Sequence, residues 1–337
     1  MAYSVKTSQL SDSLIAEQFY EERYNDGYMD EWPQWKKLRI IELIQQLNLP
    51  EQGKALDFGC GRGIFAIVIK QALPNWEVTG CDISLTAMAD ARARFPQLRF
   101  HEITELIKKE EKFDLVFSHH VLEHVFEIKF VLNQISQLQN SGGVMFHILP
   151  CGNLGSFEHD LASKIPDGIN LENGNRFYFE DIGHVRRLTS NQLDSLLGEF
   201  HYETHNAWFA NQRYGSLEWM SDSQDSLLDE VLTNPSIAKG NPEGLKTLAE
   251  LRDKISRLKL ARLYAKEGKK HRVKMRLLEL KSKPSRVFKT ISNILNDIQL
   301  VKEGRAFQAN LSDEWSMKKT ENTGSEMYLS YKKANQQ

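Results

Sequence analysis

The chain has 337 residues, 41% of them hydrophobic and 26% charged, with a net charge of −2. That length suits one α/β domain of roughly 200–230 residues plus an insertion. Both fractions are ordinary for a soluble globular protein. The apolar runs fall short of the ~20 residues that span a bilayer, the first residues lack the apolar stretch of a signal peptide, and Cys60, Cys81 and Cys151 have no metal-ligand spacing. A reducing, cytoplasmic setting is therefore expected. The charge is uneven. Residues 239–289 hold 17 Lys/Arg against 5 Asp/Glu, a balance of +12, whereas the remaining 26 basic and 40 acidic residues give −14.

In chain order, residues 12–47 read as helix in two pieces broken near Pro33, carrying Phe19, Tyr20, Tyr24, Tyr28, Trp32 and Trp35. Tyr20, Tyr24 and Tyr28 recur every four residues and share one helix face. This segment, 1–47, is expected to be a helical lid that either packs on the sheet or brings a tyrosine to a cation. Trp32 and Trp35 read as core. Strands are expected over 54–58, 77–81, 98–101, 113–118 and 144–149, with helices over 64–73, 85–95 and 126–139 between them. Strands without in/out alternation, separated by helices, predict a parallel sheet buried on both faces and doubly wound by right-handed crossovers. Residues 150–187 read as a long loop, 189–198 as helix, 200–210 as strand, and 222–300 as helical, with Leu248, Leu251, Ile255 and Leu258 on one face and Gly268 and Pro284 as punctuation. Residues 327–332 read as a last strand returning to the sheet. The expected division is a lid (1–47), a catalytic domain (48–210 with 321–337) and a basic helical insertion (211–320).

Gly59, Gly61 and Gly63 follow the first strand in A-L-D-F-G-C-G-R-G (55–63). Glycines there admit positive φ and let backbone amides approach a ligand. A dinucleotide fingerprint would need Gly or Ala at position 64, which is Ile64, and no Gly-Lys-Ser/Thr follows for a P-loop. Asp57 would repel a pyrophosphate and attract a sulfonium or ammonium. Asp82 ends the second strand, where a carboxylate can accept two ribose hydroxyls or else cap the next helix.

These motifs resemble those of the class I S-adenosylmethionine-dependent methyltransferases, in the broad group of small-molecule, quinone-biosynthesis and sugar methyltransferases. F-D-L-V-F-S-H-H-V-L-E-H-V (113–125), L-Q-N-S-G-G-V-M-F-H-I-L-P (138–150) and G-H-V-R-R-L-T-S-N-Q-L-D-S-L-L (183–197) extend the resemblance over roughly residues 35–210 and the last strand. It implies a Rossmann-like α/β fold with a seven-stranded sheet and an antiparallel last strand. It implies S-adenosyl-L-methionine as cofactor, contacted by Asp57, Gly59, Cys60, Gly61, Gly63 and Asp82, with Ile83 packing the adenine and Ser118 and His119 at the end of the fourth strand. Tyr24 is the lid tyrosine nearest this expectation. The family usually places an acid after the third strand, where Glu102, Thr104 and Glu105 are the candidates.

Methyl transfer from a sulfonium is an in-line displacement, so positioning dominates and a hydroxyl acceptor gains from a general base. His184 is the preferred base, because the resemblance places its segment over the acceptor pocket, with His119 and His120 next. His124 and His147 read as packing residues. The spacing H-H-x-x-E-H (119–124) does not make a metal site, and none is expected. The expected function is methyl transfer to O or N of a small-molecule or glycan-like intermediate. The alternatives are an RNA methyltransferase and a non-catalytic scaffold of the same fold. The basic insertion admits a cap for an anionic acceptor, an RNA-binding surface, or a hairpin joining a homodimer, with peripheral membrane contact as a further use. Nucleic acid is not favoured, because Tyr264 and Phe288 alone interleave the basic run.

Overall fold

A computed structural model describes residues 13–25, 31–172, 174–282 and 287–334. Tyr28, Pro284 and the side chain of Phe288 lie outside the described residues. The chain divides into two compact units: residues 1–151, 182–208 and 326–337, and residues 152–181 with 209–325.

The first unit is built on a seven-stranded sheet. Its strands are β1 (Lys54–Phe58), β2 (Glu77–Cys81), β3 (Arg99–His101), β4 (Phe113–His119), β5 (Gln139–Pro150), β8 (Tyr202–Ala210) and β9 (Glu326–Lys333), in the order β3-β2-β1-β4-β5-β9-β8. Pairings from β3 through β5 are parallel, and β9 runs antiparallel to β5, with Glu326 opposite Pro150 and Leu329 opposite His147. The seven-stranded doubly wound sheet and its antiparallel last strand are as expected. Parallel strands covered on both faces explain the unbroken apolar runs: Leu56, Leu115, Val116, Phe117, Met145 and Phe146 are all fully buried. β5 begins earlier than expected, at Gln139. A register shift between Phe113 and Leu115 lets it pass through Gly142 at φ +79° while Asn140 donates to Asp114 at 2.7 Å.

The helices of this unit are α1 (Ser13–Asn25), α2 (Gln34–Gln45), α3 (Ile64–Ala72), α4 (Leu85–Arg94), α5 (Ile103–Lys108), α6 (Ile128–Leu138) and α8 (Ser190–Gly198). Their ends follow local chemistry. α3 stops at Leu73 because the residue before a proline leaves the helical region. α4 starts at Ser84, whose hydroxyl accepts the Ala87 amide at 3.0 Å. α8 starts in a capping box of Thr189 and Gln192. The strand order reverses between β1 and β4, so the carboxyl ends of β1, β2 and β4 frame the crevice where such sheets bind ligands.

The second unit corrects the expected boundaries. Residues 152–181, read as loop, hold α7 (Phe157–Ser163) and a two-stranded hairpin of β6 (Ile169–Asn170) and β7 (Arg176–Phe177). They group with the insertion because Leu161, Phe177 and Phe179 share a core with Met220, Ile255 and Phe307. Short segments separated by Gly, Pro and Asn hide such a helix from periodicity. The insertion itself comprises α9 (Tyr214–Asp222), one turn of helix α10 (Asp225–Leu227), α11 (Pro242–Glu267), α12 (Lys269–Ser282) and α13 (Val287–Lys318). Leu248, Leu251, Ile255 and Leu258 are buried along α11, as their spacing predicts. α11 and α13 meet closely at Gly304, where a Cβ would stand 2.2 Å from the Ala261 carbonyl oxygen. Glu314 caps α9 by accepting the amides of Arg213, Tyr214 and Gly215 at 2.6–3.0 Å. Among the described residues no helix is long and apolar enough to cross a membrane.

Candidate active site

Beyond β1, β2 and β4 lies a cavity of about 860 Å³. Its floor is the glycine loop. Gly59 (φ +74°) and Gly61 (φ +49°) both adopt backbone that disfavours side chains. Their amides are already committed: Gly59 and Cys60 donate to the Cys81 carbonyl at 2.8 and 2.9 Å, and Gly61 donates to Asp82 Oδ2 at 2.8 Å. The loop is thus tied to the tip of β2, and what it offers a ligand is the bare surface of Gly59, Cys60 and Gly61. Asp82 Oδ1 accepts the Ser84 amide at 2.9 Å, so the carboxylate braces both the loop and the start of α4. Burial raises the Asp82 pKa, against the backbone hydrogen bonds that lower it.

The wall on one side is α1. Tyr24 and Tyr20 line the cavity, and a Cβ on Gly61 would fall 2.6 Å from the Tyr24 hydroxyl. Arg62 holds Tyr24 by donating to its carbonyl at 2.6 Å. Glu21 accepts the amides of Leu85 and Thr86 at the N-terminus of α4, where an acid is favoured. Ile83, 47% exposed, and Ile103 supply apolar wall. Of the third-strand candidates, Glu105 is instead paired with His101 and Lys109, while Glu102 is exposed at the start of α5.

The opposite wall is built from the end of β4. Alternation along that strand puts Phe117 and His119 against Phe65 of α3, with the His119 ring 4.0 Å from it. Trp32 stacks edge-on to His119 at 4.6 Å and lines the cavity, and Trp35 is 42% exposed. The expectation that both tryptophans are core is therefore corrected: Pro33 turns the chain between the helices, leaving Trp32 over the strand ends. His119 Nε2 is buried with no hydrogen-bond partner. Burial, then the charges of Lys36 and His120, hold its pKa well below the ordinary histidine range, so the ring is neutral. His120 differs. Its Nδ1 lies 2.8 Å from Glu123 and its Nε2 lies 3.0 Å from Glu326. Burial opposes its charge, yet the two carboxylates outweigh burial and raise its pKa. Lys36 pairs with Glu326, and Tyr328 donates to Glu326 at 2.6 Å. A buried network of alternating charges thus runs back from His120, which itself lines the cavity.

Several expected contacts are placed elsewhere. Asp57 is 1% exposed and lies beneath the loop, opposite Gly80 in the register, with Oδ2 unpartnered. Burial, then Asp82, pushes its pKa up to about 8. Gly63 (φ +78°) caps α3 against Phe100 and does not reach the cavity. Ser118 faces the other side of β4 and hydrogen-bonds His147 Nδ1 at 2.7 Å, which removes it from the expected contacts. His184 stands 4.6 Å from the His124 ring, and of the two it is His124 that lines the cavity. The chain turns through Val121–His124 before α6, which places His184 one ring behind the wall. Glu123, His124 and His184 bring donor atoms within 4.8 Å of one another, as do His119, His120 and Glu326. These are ligand types a divalent transition metal takes. In the latter set Lys36 already supplies Glu326 with a cation.

A family profile described as "Methyltransferase domain" matches residues 56–145, the stretch from β1 through the start of β5. That match and the methyltransferase relatives support a class I S-adenosylmethionine-dependent methyltransferase. It is 29% identical over 111 residues to the trans-aconitate 2-methyltransferase of Variovorax paradoxus, covering 32% of this chain and 43% of that protein. It is 19% identical over 222 residues to the (S)-coclaurine N-methyltransferase of Papaver somniferum, covering 63% and 61%. Among solved structures, coclaurine N-methyltransferase bound to N-methylheliamine and SAH aligns with 13% identity and a TM-score of 0.43, over 90% of this chain and 72% of that one. The chain spans about half the length of the curated relatives it matches first. The cofactor of this family fits the residues present: a glycine cradle that a Cβ at Gly61 would fill, an acid at the β2 tip, apolar side chains beside it, and below them the buried Asp57 with one oxygen unpartnered.

Proposed function

We propose that this protein transfers a methyl group from S-adenosylmethionine to an oxygen or nitrogen of a small-molecule or glycan-like biosynthetic intermediate. The observation that carries the reading is the position of Asp82. Its carboxylate braces Gly61 and Ser84 and lines the same cavity as Tyr24, Ile83 and His119. The acid at the β2 tip suits ribose hydroxyls, and Ile83 suits the adenine face. Tyr24 over Gly61 suits the sulfonium end, where an aromatic ring attracts a cation by ~0.5–2 kcal/mol.

The bound cofactor supplies an electrophilic methyl group, and the chain supplies position, exclusion of water and a proton acceptor. Phe65 packs against the His119 ring and Trp32 meets it edge-on, the two also touching each other, which holds the ring at the wall. A neutral ring with a buried, unpartnered nitrogen can accept the proton of an acceptor hydroxyl or ammonium. His120, gripped by two carboxylates, keeps its protons and serves as a fixed cation behind it. His119 is accordingly our preferred base, ahead of His184. The names of the relatives, one acting on trans-aconitate and one on coclaurine, support a small-molecule acceptor. Calorimetric titration with S-adenosylmethionine and with NAD tests the cofactor assignment, and heat with NAD alone would overturn it. Transfer of a tritiated methyl group into fractionated cell extract then shows whether label follows small molecules, lipid or nucleic acid.

A further inference from the structure

α12 is the most basic helix of the second unit, and two ion pairs fix which way it faces. Arg276 Nε bonds Asp297 of α13 at 2.9 Å, and Arg272 Nε lies 3.6 Å from the same carboxylate, whose side chain is 1% exposed. The Arg272 guanidinium also covers the Tyr264 ring of α11 at 3.6 Å. Arg272 and Arg276, one turn apart, therefore mark the inward face. The opposite face is set by helical periodicity: Lys270, Lys274, Leu277 and Leu278 follow one another at i, i+4, i+7 and i+8. All four are exposed, Leu277 and Leu278 by 47% and 48%, with Met275 beside them at 44%. On α13, Leu295 stands two residues before Asp297, and 63% of it is exposed.

We infer that this face of α12 docks on an anionic lipid surface. Leucines and a methionine there have no covering partner within the described residues, and the lysines among them carry flexible apolar stems that lie along a bilayer while the ammonium stays at the headgroups. The surrounding segment, 239–289, has a balance of +12. That charge opposes pairing of the face with a second copy, which would set lysine against lysine. A nucleic-acid partner is disfavoured because Tyr264, the aromatic side chain of the described residues in this segment, is 8% exposed beneath Arg272 and offers no face for a base. An apolar stripe edged by lysines that have no ion-pair partner among the described residues matches a surface that is negative outside and apolar below.

Flotation of the full chain with vesicles of phosphatidylcholine containing roughly 30% phosphatidylglycerol, against phosphatidylcholine alone, reads the proposal directly. Binding to the anionic vesicles is expected, weakening at least about tenfold in Lys270→Glu/Lys274→Glu and more mildly in Leu277→Ser/Leu278→Ser. Affinity for S-adenosylhomocysteine and the circular dichroism spectrum stay unchanged in both variants, which separates lost docking from lost folding. The proposal is overturned by absence of vesicle binding. It is equally overturned if the same variants abolish self-association in ultracentrifugation or binding to an RNA oligonucleotide while vesicle binding is unaffected. Because α12 supplies no residue to the cavity lining, failure here leaves the methyltransferase reading untouched.

Discussion

Asp82 accepts the backbone amide of Gly61 at 2.8 Å, so the acid at the tip of one strand holds the glycine loop that follows its neighbour. Removing it costs the loop's shape together with the proposed contact to the cofactor ribose. Asp82→Ala is expected to weaken S-adenosylhomocysteine binding by at least ~1–3 kcal/mol, measured by calorimetry. Asp82→Asn, which keeps one acceptor oxygen, should fall between. Unchanged affinity in Asp82→Ala would remove this carboxylate from the site.

Gly61 sits under the Tyr24 hydroxyl, and a methyl group there would lie 2.6 Å from it. The backbone at φ +49° adds a left-handed penalty of ~1 kcal/mol for any side chain. Gly61→Ala should reduce cofactor affinity, and Tyr24→Phe should recover part of the loss in the double variant, since it removes the clashing atom. Strictly additive effects in that cycle would show that the two residues do not meet in solution.

His119 and His184 make a paired test of the base. Asparagine at His119 should lower kcat by ~10²-fold or more while donor affinity holds, the size expected for lost proton transfer. His184→Asn, one ring back from the cavity, should lower it far less. The readout is the rate of label transfer into the extract fraction that accepts methyl groups, and the reverse ranking would return the role to His184.

Two buried groups give the apo protein opposed pH dependences. His147 is fully buried in β5, and desolvation lowers its pKa to about 4. Its contribution to stability is complete above the unfolded value near 6.5 and is lost as pH falls toward 4, on the order of 3 kcal/mol in all. Asp57 works the other way. Burial and Asp82 raise it to about 8, so its favourable contribution is complete below the unfolded value near 3.8 and drains away as pH climbs to 8. Between about pH 4 and 6.5 the two slopes cancel, and above that Asp57 acts alone, so the melting temperature should be level on the acid side and fall from about pH 6.5 to 8. Asp57→Asn should flatten the alkaline arm, and an alkaline arm identical to wild type would mean that Asp57 is ionised in the folded protein.

Lys36 is buried against Glu326, and burial lowers its pKa despite that partner. Lys36→Met leaves one cation, His120, shared between two buried carboxylates, Glu123 and Glu326. A loss of ~3 kcal/mol or more in urea unfolding is expected. The double change Lys36→Met/Glu326→Gln should be milder than the single one, and a larger loss in the double variant would rule out charge as the cause.

The sequence alone determined the sheet, the glycine loop and Asp82, because strand burial and loop conformation are local: unbroken apolar runs need two covered faces, and glycines after a strand mark positive φ. It determined the residues at the loop's surface, Gly59, Cys60 and Gly61, for the same reason. Only the tertiary structure decided that His119, His120 and His124 line the cavity and His184 does not. His119, His124 and His184 are equal as residue types, and strand alternation, the turn after β4 and the packing of Phe65 and Trp32 separate them. The same holds for Ser118, turned away by a single step of pleat toward His147, and for Glu326, which joins His120 across 206 residues of sequence. The helix at 157–163 and its union with the insertion also lay beyond the sequence, since Leu161 and Phe177 acquire a core only when α9, α11 and α13 arrive to cover them. Burial, charge pairing and the identity of a neutral base are properties of neighbours, and distant neighbours are set by the fold.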